Sequence, residues 1–367
     1  MARKLASIAS IATCDPIPDT ERLSVATMVG KGWRVVTARG EFSPGDLAVY
    51  FEIDSFLPAD DERFAFLRER CLRRFVSKSG QVLREGIRIR TAKLRGVISQ
   101  GLLMPVAAFP EVAGLAVGED ATELLHVEHY DEVSESMRPA TGGNPVSGDA
   151  YGRFPSDYIP KTDEERIQNL ADYFTTMKGR RFEVTEKNDG SSVTMFLSPT
   201  IDAENPFGVC SRNLRLKPVS DSGAVPIPWK MAEKYGAQSA ISAANVSASA
   251  ELAFQGELVG PGVNGNRDGY RDYEWHVFRV WDIKAQRFLL PSEARFICKA
   301  VGFDYVPVIA EEMPVFDELA DMDAVLRFAE GKTAAGHERE GLVFKSVSEP
   351  FVSFKAVSNR YLLKEGA

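Results

Sequence analysis

Cysteine is scarce and scattered. Cys14, Cys71, Cys210 and Cys298 are the only four, they lie far apart, and none forms a C-x-x-C pair. That argues against a disulfide framework or a zinc ribbon and suits a reducing cytoplasm. Histidine is as sparse, with four residues. His126 and His129 could share a metal, but no cysteine or third histidine is near them, and an exposed helix end accounts for both. No apolar run reaches the roughly 18 residues that a membrane-spanning helix requires. The opening stretch "MARKLASIASIATCDPIPD" carries basic residues, but its apolar run is short and stops at Asp15 and Pro16. It reads as neither a signal peptide nor an anchor. Positive charge is in deficit, with a net charge of −8, which argues against a polycation that coats nucleic acid. No internal repeat is visible.

The charge is uneven, however. Residues 68–95 hold ten Lys or Arg against two Glu, so this stretch is +8 and the remainder −16. A basic stripe on an acidic protein can grip a polyanion locally, although a solvated face is the plainer reading. Within it, "IRIR" alternates. Ile87 and Ile89 pack on one face, while Arg88 and Arg90 are expected to present guanidiniums outward.

A length of 367 residues suggests two domains. Residues 4–105 read as all-β, with short runs such as "GWRVVTA" and "LAVYFEI" between the breaks "DPIPD", "GEFSPGD" and "FLPADD". Their spacing suits a small Greek-key barrel of the OB type, interrupted by one helical piece over 62–74; a β-sandwich is the alternative. Residues 131–150, "DEVSESMRPATGGNPVSGDA", are polar and rich in Ser, Gly and Pro, as linkers are. A helix is expected to start at "KTDEERIQNL", with Thr162 and Glu165 as a capping box and Asp163 and Glu164 near the positive helix end. From 181 onward strands dominate, with helices near 229–245, 292–301 and 316–331, which reads as an α+β domain with a large antiparallel sheet. The boundaries follow: 1–128 OB-like, 129–153 linker, 154–367 the α+β domain.

"GPGVNG" at 260–265 fits G-x-G-x-x-G. A dinucleotide site needs that pattern to open a helix after a strand, and here Pro261 and the following "NGNRDGY" make it turn chemistry. "TEKNDGSSVTMF" at 185–196 is more informative. A strand ends on Lys187, with Asn188, Asp189 and Gly190 making a tight turn that exposes it. A lysine is a nucleophile only when neutral, so burial or nearby positive charge should lower its pKa. By itself K-x-D-G is also compatible with an ordinary strand–turn–strand.

The residues that follow add weight. Arg212 ends a strand in "CSRN", Glu257 lies in "FQGELVG" and Phe278 in "HVFRVWDI". Glu340 and Lys345 lie in "EREGLVFKS", and Lys355 in "VSFKAVSN". Glu257 and Glu340 sit inside apolar strands, where an unpaired acid is costly, so both belong in a cleft. Phe278 could instead be core, Arg212 a surface ion pair and Lys345 a strand-edge charge. This ordered set over 185–364 resembles the motifs of the covalent nucleotidyltransferases, the ATP-dependent ligases and mRNA capping enzymes. The resemblance implies that Lys187 attacks the α-phosphate of ATP, expels pyrophosphate and becomes a lysyl–AMP. It implies that Glu186 lies beside the nucleobase, Arg212 at the ribose or a phosphate, and Glu257 at the ribose or a hydrated metal. It further implies that Phe278 stacks on adenine, Glu340 binds metal-bound water, and Lys345 and Lys355 hold the α-phosphate. ATP and Mg²⁺ or Mn²⁺ are the implied cofactors.

Domain order narrows the resemblance. DNA ligases and capping enzymes carry an OB domain after the last lysine motif, whereas here twelve residues follow Lys355 and the barrel-like piece comes first. The chain is similar to ATP-dependent RNA ligases with an N-terminal OB domain, RNA ligase family 5. That similarity extends through "GEFSPGDLAVYFEIDSFLP" and "FPSDYIPKTDEERIQNL", where Arg166 matches a basic residue thought to contact phosphates. It implies sealing of 3′-OH and 5′-phosphate RNA ends, as in nick repair, by a cytoplasmic monomer. Arg88, Arg90, Lys93 and Arg95 are the RNA-binding candidates. One departure stands out: the family often has two bases, two apart, in the last motif, and here Ser353 stands where the partner of Lys355 would be. A noncatalytic RNA-binding protein, a DNA-sealing ligase and a GTP-using capping-type enzyme are the alternatives.

Overall fold

The computed structural model describes residues 3–76, 82–130, 148, 150–333 and 336–365. They form two compact units. The first takes residues Met1–Gly142, Glu165–Tyr173 and Asn359–Ala367; the second takes Gly143–Glu164 and Phe174–Ser358. Most of the expected linker, residues 131–147 and 149, lies outside the described residues, as do residues 77–81 of the basic stretch. Among the described residues no helix is long and apolar enough to cross a membrane.

The first unit is built from antiparallel strands. β1 (Ala6–Pro16), β2 (Leu23–Met28), β3 (Arg34–Ala38), β4 (Leu47–Phe51) and β10 (Leu102–Pro105) form one sheet in the order β10-β4-β1-β2-β3. β5 (Ser55–Pro58), β6 (Leu72–Val76), β7 (Val82–Arg88) and β11 (Glu128–His129) form a second in the order β11-β5-β7-β6, and β8 (Thr91–Leu94) with β9 (Val97–Gln100) makes a ribbon. The alternation that marks half-buried strands is plain in β2, where every second residue of "LSVATM" is buried. Phe51 anchors the core, with Phe64 edge-on at 5.4 Å and Phe109 at 5.7 Å. The helical interruption is present but shorter than expected: it runs over Glu62–Cys71, and Leu72 already begins a strand.

Ile87 and Ile89 are buried as their alternation requires. Arg88, however, does not present its charge outward. Its Nη2 donates to Asp54 at 3.0 Å and its guanidinium lies 4.3 Å from the centre of the Tyr130 ring. Asp54, in a left-handed turn at φ 67°, also accepts from Arg166 at 3.1 Å. Burial alone would raise the Asp54 pKa, but Arg166, Arg3 and Arg88 together hold it below its ordinary value. Asn169 adds a second tie, accepting from Trp33 Nε1 at 2.6 Å and donating to Glu52 at 2.9 Å. Residues 165–173 are thereby fastened to the sheets of the first unit.

The second unit opens with β12 (Ala150–Arg153), the chain returns to the first unit at β13 (Glu165–Arg166), and the second unit resumes with two sheets. One sheet comprises β12, β15 (Ser191–Leu197), β16 (Phe207–Ser211), β17 (Leu214–Leu216), β18 (Leu252–Val259), β19 (Glu274–Asp282) and β20 (Arg287–Phe288), ordered β12-β17-β16-β15-β18-β19-β20. The other contains β14 (Phe182–Lys187), β21 (Val308–Met313), β22 (Gly341–Ser346) and β23 (Ser353–Val357), ordered β23-β22-β14-β21. Helices α1 (Ile227–Lys234), α2 (Ala237–Ala248) and α3 (Pro291–Val301) cover the larger sheet. The first two fall in one expected helical stretch, broken by Gly236 at φ 55°. α4 (Met322–Ala329) supplies the last expected helix.

The helix expected to start at Thr162 does not form. Residues 161–164 are irregular, 165–166 are extended, and only Ile167–Asn169 make a 3-10 turn. The acids that suit a helix N-terminus serve ion pairs instead: Asp163 with Lys355 at 2.6 Å and Glu164 with Arg279 at 2.8 Å. Charge-assisted bonds of this kind exceed the stabilisation an exposed cap provides.

The core under the larger sheet holds Phe254, fully buried and edge-on to Phe303 at 5.1 Å. Replacing Phe254 with Ala should destabilise the protein by about 3–5 kcal/mol, measured as a shift in denaturant midpoint at unchanged m-value; a loss within error of zero would contradict this packing.

Candidate active site

Strand register sets the chemistry-bearing face of the smaller sheet. β14 pairs with β22 so that Lys187 opposes Gly341, Thr185 opposes Val343 and Glu183 opposes Lys345. β22 pairs with β23 so that Val343 opposes Lys355 and Lys345 opposes Ser353. Side chains alternate across a sheet. Glu183, Thr185, Lys187, Lys345, Ser353 and Lys355 therefore share one face. The other face is Phe182, Val184, Leu342, Phe344, Phe354 and Ala356, all buried, with Phe344 stacked on Phe354 at 4.6 Å. A greasy face anchors the sheet and leaves a polar face for chemistry.

The larger sheet contributes Glu257, which opposes Ser192 on β15 and His276 on β19. A β-bulge follows: Gly256 opposes Val277 and Gln255 opposes Arg279, so Phe278 is an extra residue. The bulge turns both His276 and Arg279 to the Glu257 side, which strict alternation would forbid. Bulges commonly re-aim side chains beside functional sites in this way. Phe278 itself is partly buried, and its carbonyl lies 3.5 Å from the Tyr305 hydroxyl.

Lys187 ends β14 with Nζ 2.6 Å from Glu340 Oε1. Its side chain is 27% exposed, so it neither points into open solvent nor is sealed off. The expected lowering of the Lys187 pKa is not met. Burial pushes the Lys187 pKa down, but Glu340, Glu257 and Asp189 outweigh it and hold the ammonium above its ordinary value. The acids carry the cost of burial instead. Desolvation pushes Glu257 up to about 8 despite the attraction of Lys187, and it raises Glu340 as well. Glu340 Oε2 and Thr185 Oγ1 are buried with no hydrogen-bond partner. Gly190 is required by space: a Cβ there would meet Leu258 O at 2.3 Å and Glu257 Cγ at 2.8 Å.

The other named residues fall as follows. Lys355 pairs with Asp163, whose second oxygen lies 4.0 Å from the half-exposed Arg212. Lys345 is buried against Glu183 at 3.3 Å and the Tyr305 hydroxyl at 3.2 Å. Glu186 is buried on the opposite side of β14, its backbone N–H donating to Pro307 O at 2.9 Å. Burial raises its pKa against the pull of Arg339. Arg166 belongs to the first unit, where Asp54 holds it. Sequence reasoning missed Asp163, Glu164 and Glu183 as partners of the cations, and it missed Arg279. The acids at 163–165 were legible as a charge run, but not their destination.

Two families match the sequence: an OB-fold domain over residues 5–106 and RNA ligase over residues 180–364. The chain belongs to the RNA ligase family. Solved structures agree over its whole length. A Naegleria gruberi RNA ligase variant with AMP and manganese is 33% identical, covers all of both chains and superposes with a TM-score of 0.82. Another variant of that ligase, with ATP and manganese, is 34% identical over 99% of each chain at 0.82, and the ligase with pyrophosphate gives the same figures. No individual curated protein matches the sequence. The ligase thus has an N-terminal OB-fold and a C-terminal α+β ligase domain, and it is an enzyme that forms phosphodiester bonds.

One consequence is thermodynamic. With Glu257 raised to about 8 from an ordinary 4.5, the native ligase keeps a proton that the unfolded chain has released. That contribution to stability is full below the unfolded pKa and is lost as pH rises through the folded one. Metal-free wild type should lose stability between about pH 5 and 8, and Glu257→Gln should flatten that dependence; parallel melting-temperature profiles would refute it.

Proposed function

We propose that this ligase joins RNA 3′-OH and 5′-phosphate ends with ATP, through a lysyl–AMP on Lys187 and an AMP-capped RNA end. The observation that carries the reading is Lys187 itself, 2.6 Å from Glu340 on a sheet face shared with Lys345 and Lys355. A nucleophile, two acids and two phosphate-compatible cations converge there. In the first step Nζ attacks the α-phosphorus. An N–P bond forms, the P–O bond to the leaving group breaks, and pyrophosphate departs. AMP then passes to the 5′-phosphate end, restoring the amine. Attack by the 3′-OH closes the phosphodiester and releases AMP. The ATP, AMP and pyrophosphate held by the Naegleria ligase structures are the reactants and products of such a cycle.

Lys187 must lose its proton before it attacks, and the same acids that hold the ammonium are the groups suited to a divalent cation. Glu340 Oε2 is buried without a partner, and Glu257 lacks a cation of its own strong enough to keep it ionised. Two hard oxygen donors fit Mg²⁺ or Mn²⁺, which use one or two carboxylates and fill the rest with water and phosphate. Among the described residues no set of three His, Cys, Asp or Glu is placed to hold a metal, so such a site needs the nucleotide to complete it. A bound cation supplies positive charge that loosens the carboxylates' hold on the ammonium and offsets charge on the phosphates. Arg212, half exposed beside Asp163, suits the ribose or a phosphate, and Phe278 offers a ring to adenine. Glu186 stands beside the nucleobase in this reading, and Lys345 and Lys355 hold the α-phosphate.

For RNA, the exposed candidates are Lys93 and Arg95 at the tip of the β8–β9 ribbon. Arg90 is partly buried, and Arg88 is committed to Asp54. The enzyme is read as a monomer.

Incubation with α-labelled ATP and Mg²⁺ should label the wild type, and Lys187→Ala should abolish the label; label retained at wild-type level would defeat the assignment. Labelling by GTP instead would favour a capping-type enzyme. Lys93→Ala with Arg95→Ala should leave labelling intact, weaken nick sealing, and lower the log–log salt slope by about 1–2. An unchanged sealing rate across a salt series would refute that grip.

A further inference from the structure

The segment that fits G-x-G-x-x-G at 260–265, and the strand after it, close onto the turn that carries the nucleophile. The turn is Lys187–Gly190, and the residues after Lys187 are held from that one direction. Asn188 and His276 are both buried, and their side chains meet at 2.7 Å between Nδ2 and Nδ1. His276 Nε2 lies 2.9 Å from Glu274 Oε2. A carboxylate accepts, so Nε2 donates to Glu274, and the Asn188 Nδ2 facing Nδ1 is the arrangement in which that nitrogen accepts. Asn188 presents its NH₂ to that nitrogen. Tyr270 closes the other side of the ring, edge-on at 5.8 Å.

The next two residues are gripped by Asn264. Its Nδ2 donates to Asp189 Oδ1 at 3.2 Å and to Gly190 O at 2.6 Å. Arg267 lies 3.7 Å from Asp189 Oδ2. Asn264, Gly265 and Asn266 have φ of 43°, 72° and 48°. Three successive left-handed residues are costly for any chain and are tolerated chiefly by Gly and Asn. That backbone is what aims Asn264 at the turn.

We propose that His276 and Asn264 are positioning residues for lysine adenylation: they clamp the Lys187–Gly190 turn so that Nζ meets the α-phosphorus opposite the departing pyrophosphate. The inference rests on the lysyl–AMP reading above. Neither side chain reaches the reacting atoms in this scheme. They act through Asn188, Asp189 and Gly190. Regular alternation over residues 274–277 sets His276 opposite Glu257 while Trp275 and Val277 are buried, and the bulge comes only after Val277.

Sealing of a pre-adenylated RNA end does not use the Lys187 nitrogen as a nucleophile, so the two steps separate a clamp from a general structural role. Single-turnover labelling with α-labelled ATP is measured for wild type, His276→Ala, His276→Asn and Asn264→Ala, alongside sealing of a pre-adenylated nick. His276→Ala and Asn264→Ala should slow label formation at saturating ATP by about 10- to 100-fold, the effect of Å-scale misplacement. The half-saturating ATP concentration and the sealing rate should change by less than about threefold. His276→Asn keeps an acceptor where Nδ1 stood and should recover labelling to within about threefold of wild type. Variants that label at the wild-type rate, variants that lose both steps equally, or no recovery in His276→Asn would each overturn the clamp alone. A wild type that takes no label overturns the lysyl–AMP reading and the clamp with it.

Discussion

The contact between Lys187 and Glu340 is the constraint around which the second unit is arranged. On the proposed reading Lys187 attacks phosphorus and must then be neutral, yet a partly buried lysine 2.6 Å from a carboxylate is held as an ammonium. The resting ligase resolves this by keeping the site electrically closed. Glu340 compensates the ammonium, and burial makes both it and Glu257 reluctant anions. Any cation that takes the acids takes the lysine's partners too. On the proposed reading, a cation that engages Glu340 and Glu257 would free the amine for attack.

Such a site needs a scaffold that does not yield. β14, β22 and β23 provide it by strict alternation. Phe182, Phe344 and Phe354 pack on one side while Lys187, Lys345 and Lys355 emerge on the other. Fully buried aromatic rings in close contact resist displacement, because any gap forfeits dispersion and opens a cavity. β18 and β19 of the larger sheet provide it by breaking alternation at Phe278. Gly190 and Gly256 complete the fit: a Cβ at 190 would meet Leu258 O at 2.3 Å, and one at 256 would meet Trp275 Nε1 at 2.5 Å.

The ligase motifs were legible because each puts an unusual residue into an otherwise apolar strand. Glu257 inside "FQGELVG" and Glu340 beside "GLVF" have no reason to be there except a cleft. The strands and most helices were legible from period and turn chemistry. What could not be read was where charge goes once the chain is folded. Asp163 and Glu164 fit a helix cap locally, and tertiary pairing with Lys355 and Arg279 overrode that. Arg88 alternates correctly with Ile87 and Ile89, yet a turn at Asp54 and a ring at Tyr130 draw it inward. A bulge leaves no mark in a hydrophobic pattern that reads equally well on either side of it.

The missing base at Ser353 becomes less puzzling in this light. Ser353 stands directly across from Lys345, and Lys345 stands across from Glu183. Glu183 is fully buried, accepts from the Tyr305 hydroxyl at 2.9 Å and from Lys345 at 3.3 Å, and forms an ion pair with Arg295 at 3.1 Å. A second lysine at 353 would add a third cation to one carboxylate. Burying an uncompensated ammonium costs far more than a lost phosphate contact. Arg279 adds positive charge from the other sheet: it pairs with Glu164 and lies over Phe288 and Phe351 at 4.4 Å and 5.1 Å. On the proposed reading, the ligase's own carboxylates occupy the cations until phosphate arrives. Asp163, Glu164 and Glu183 set how many bases this pocket can carry.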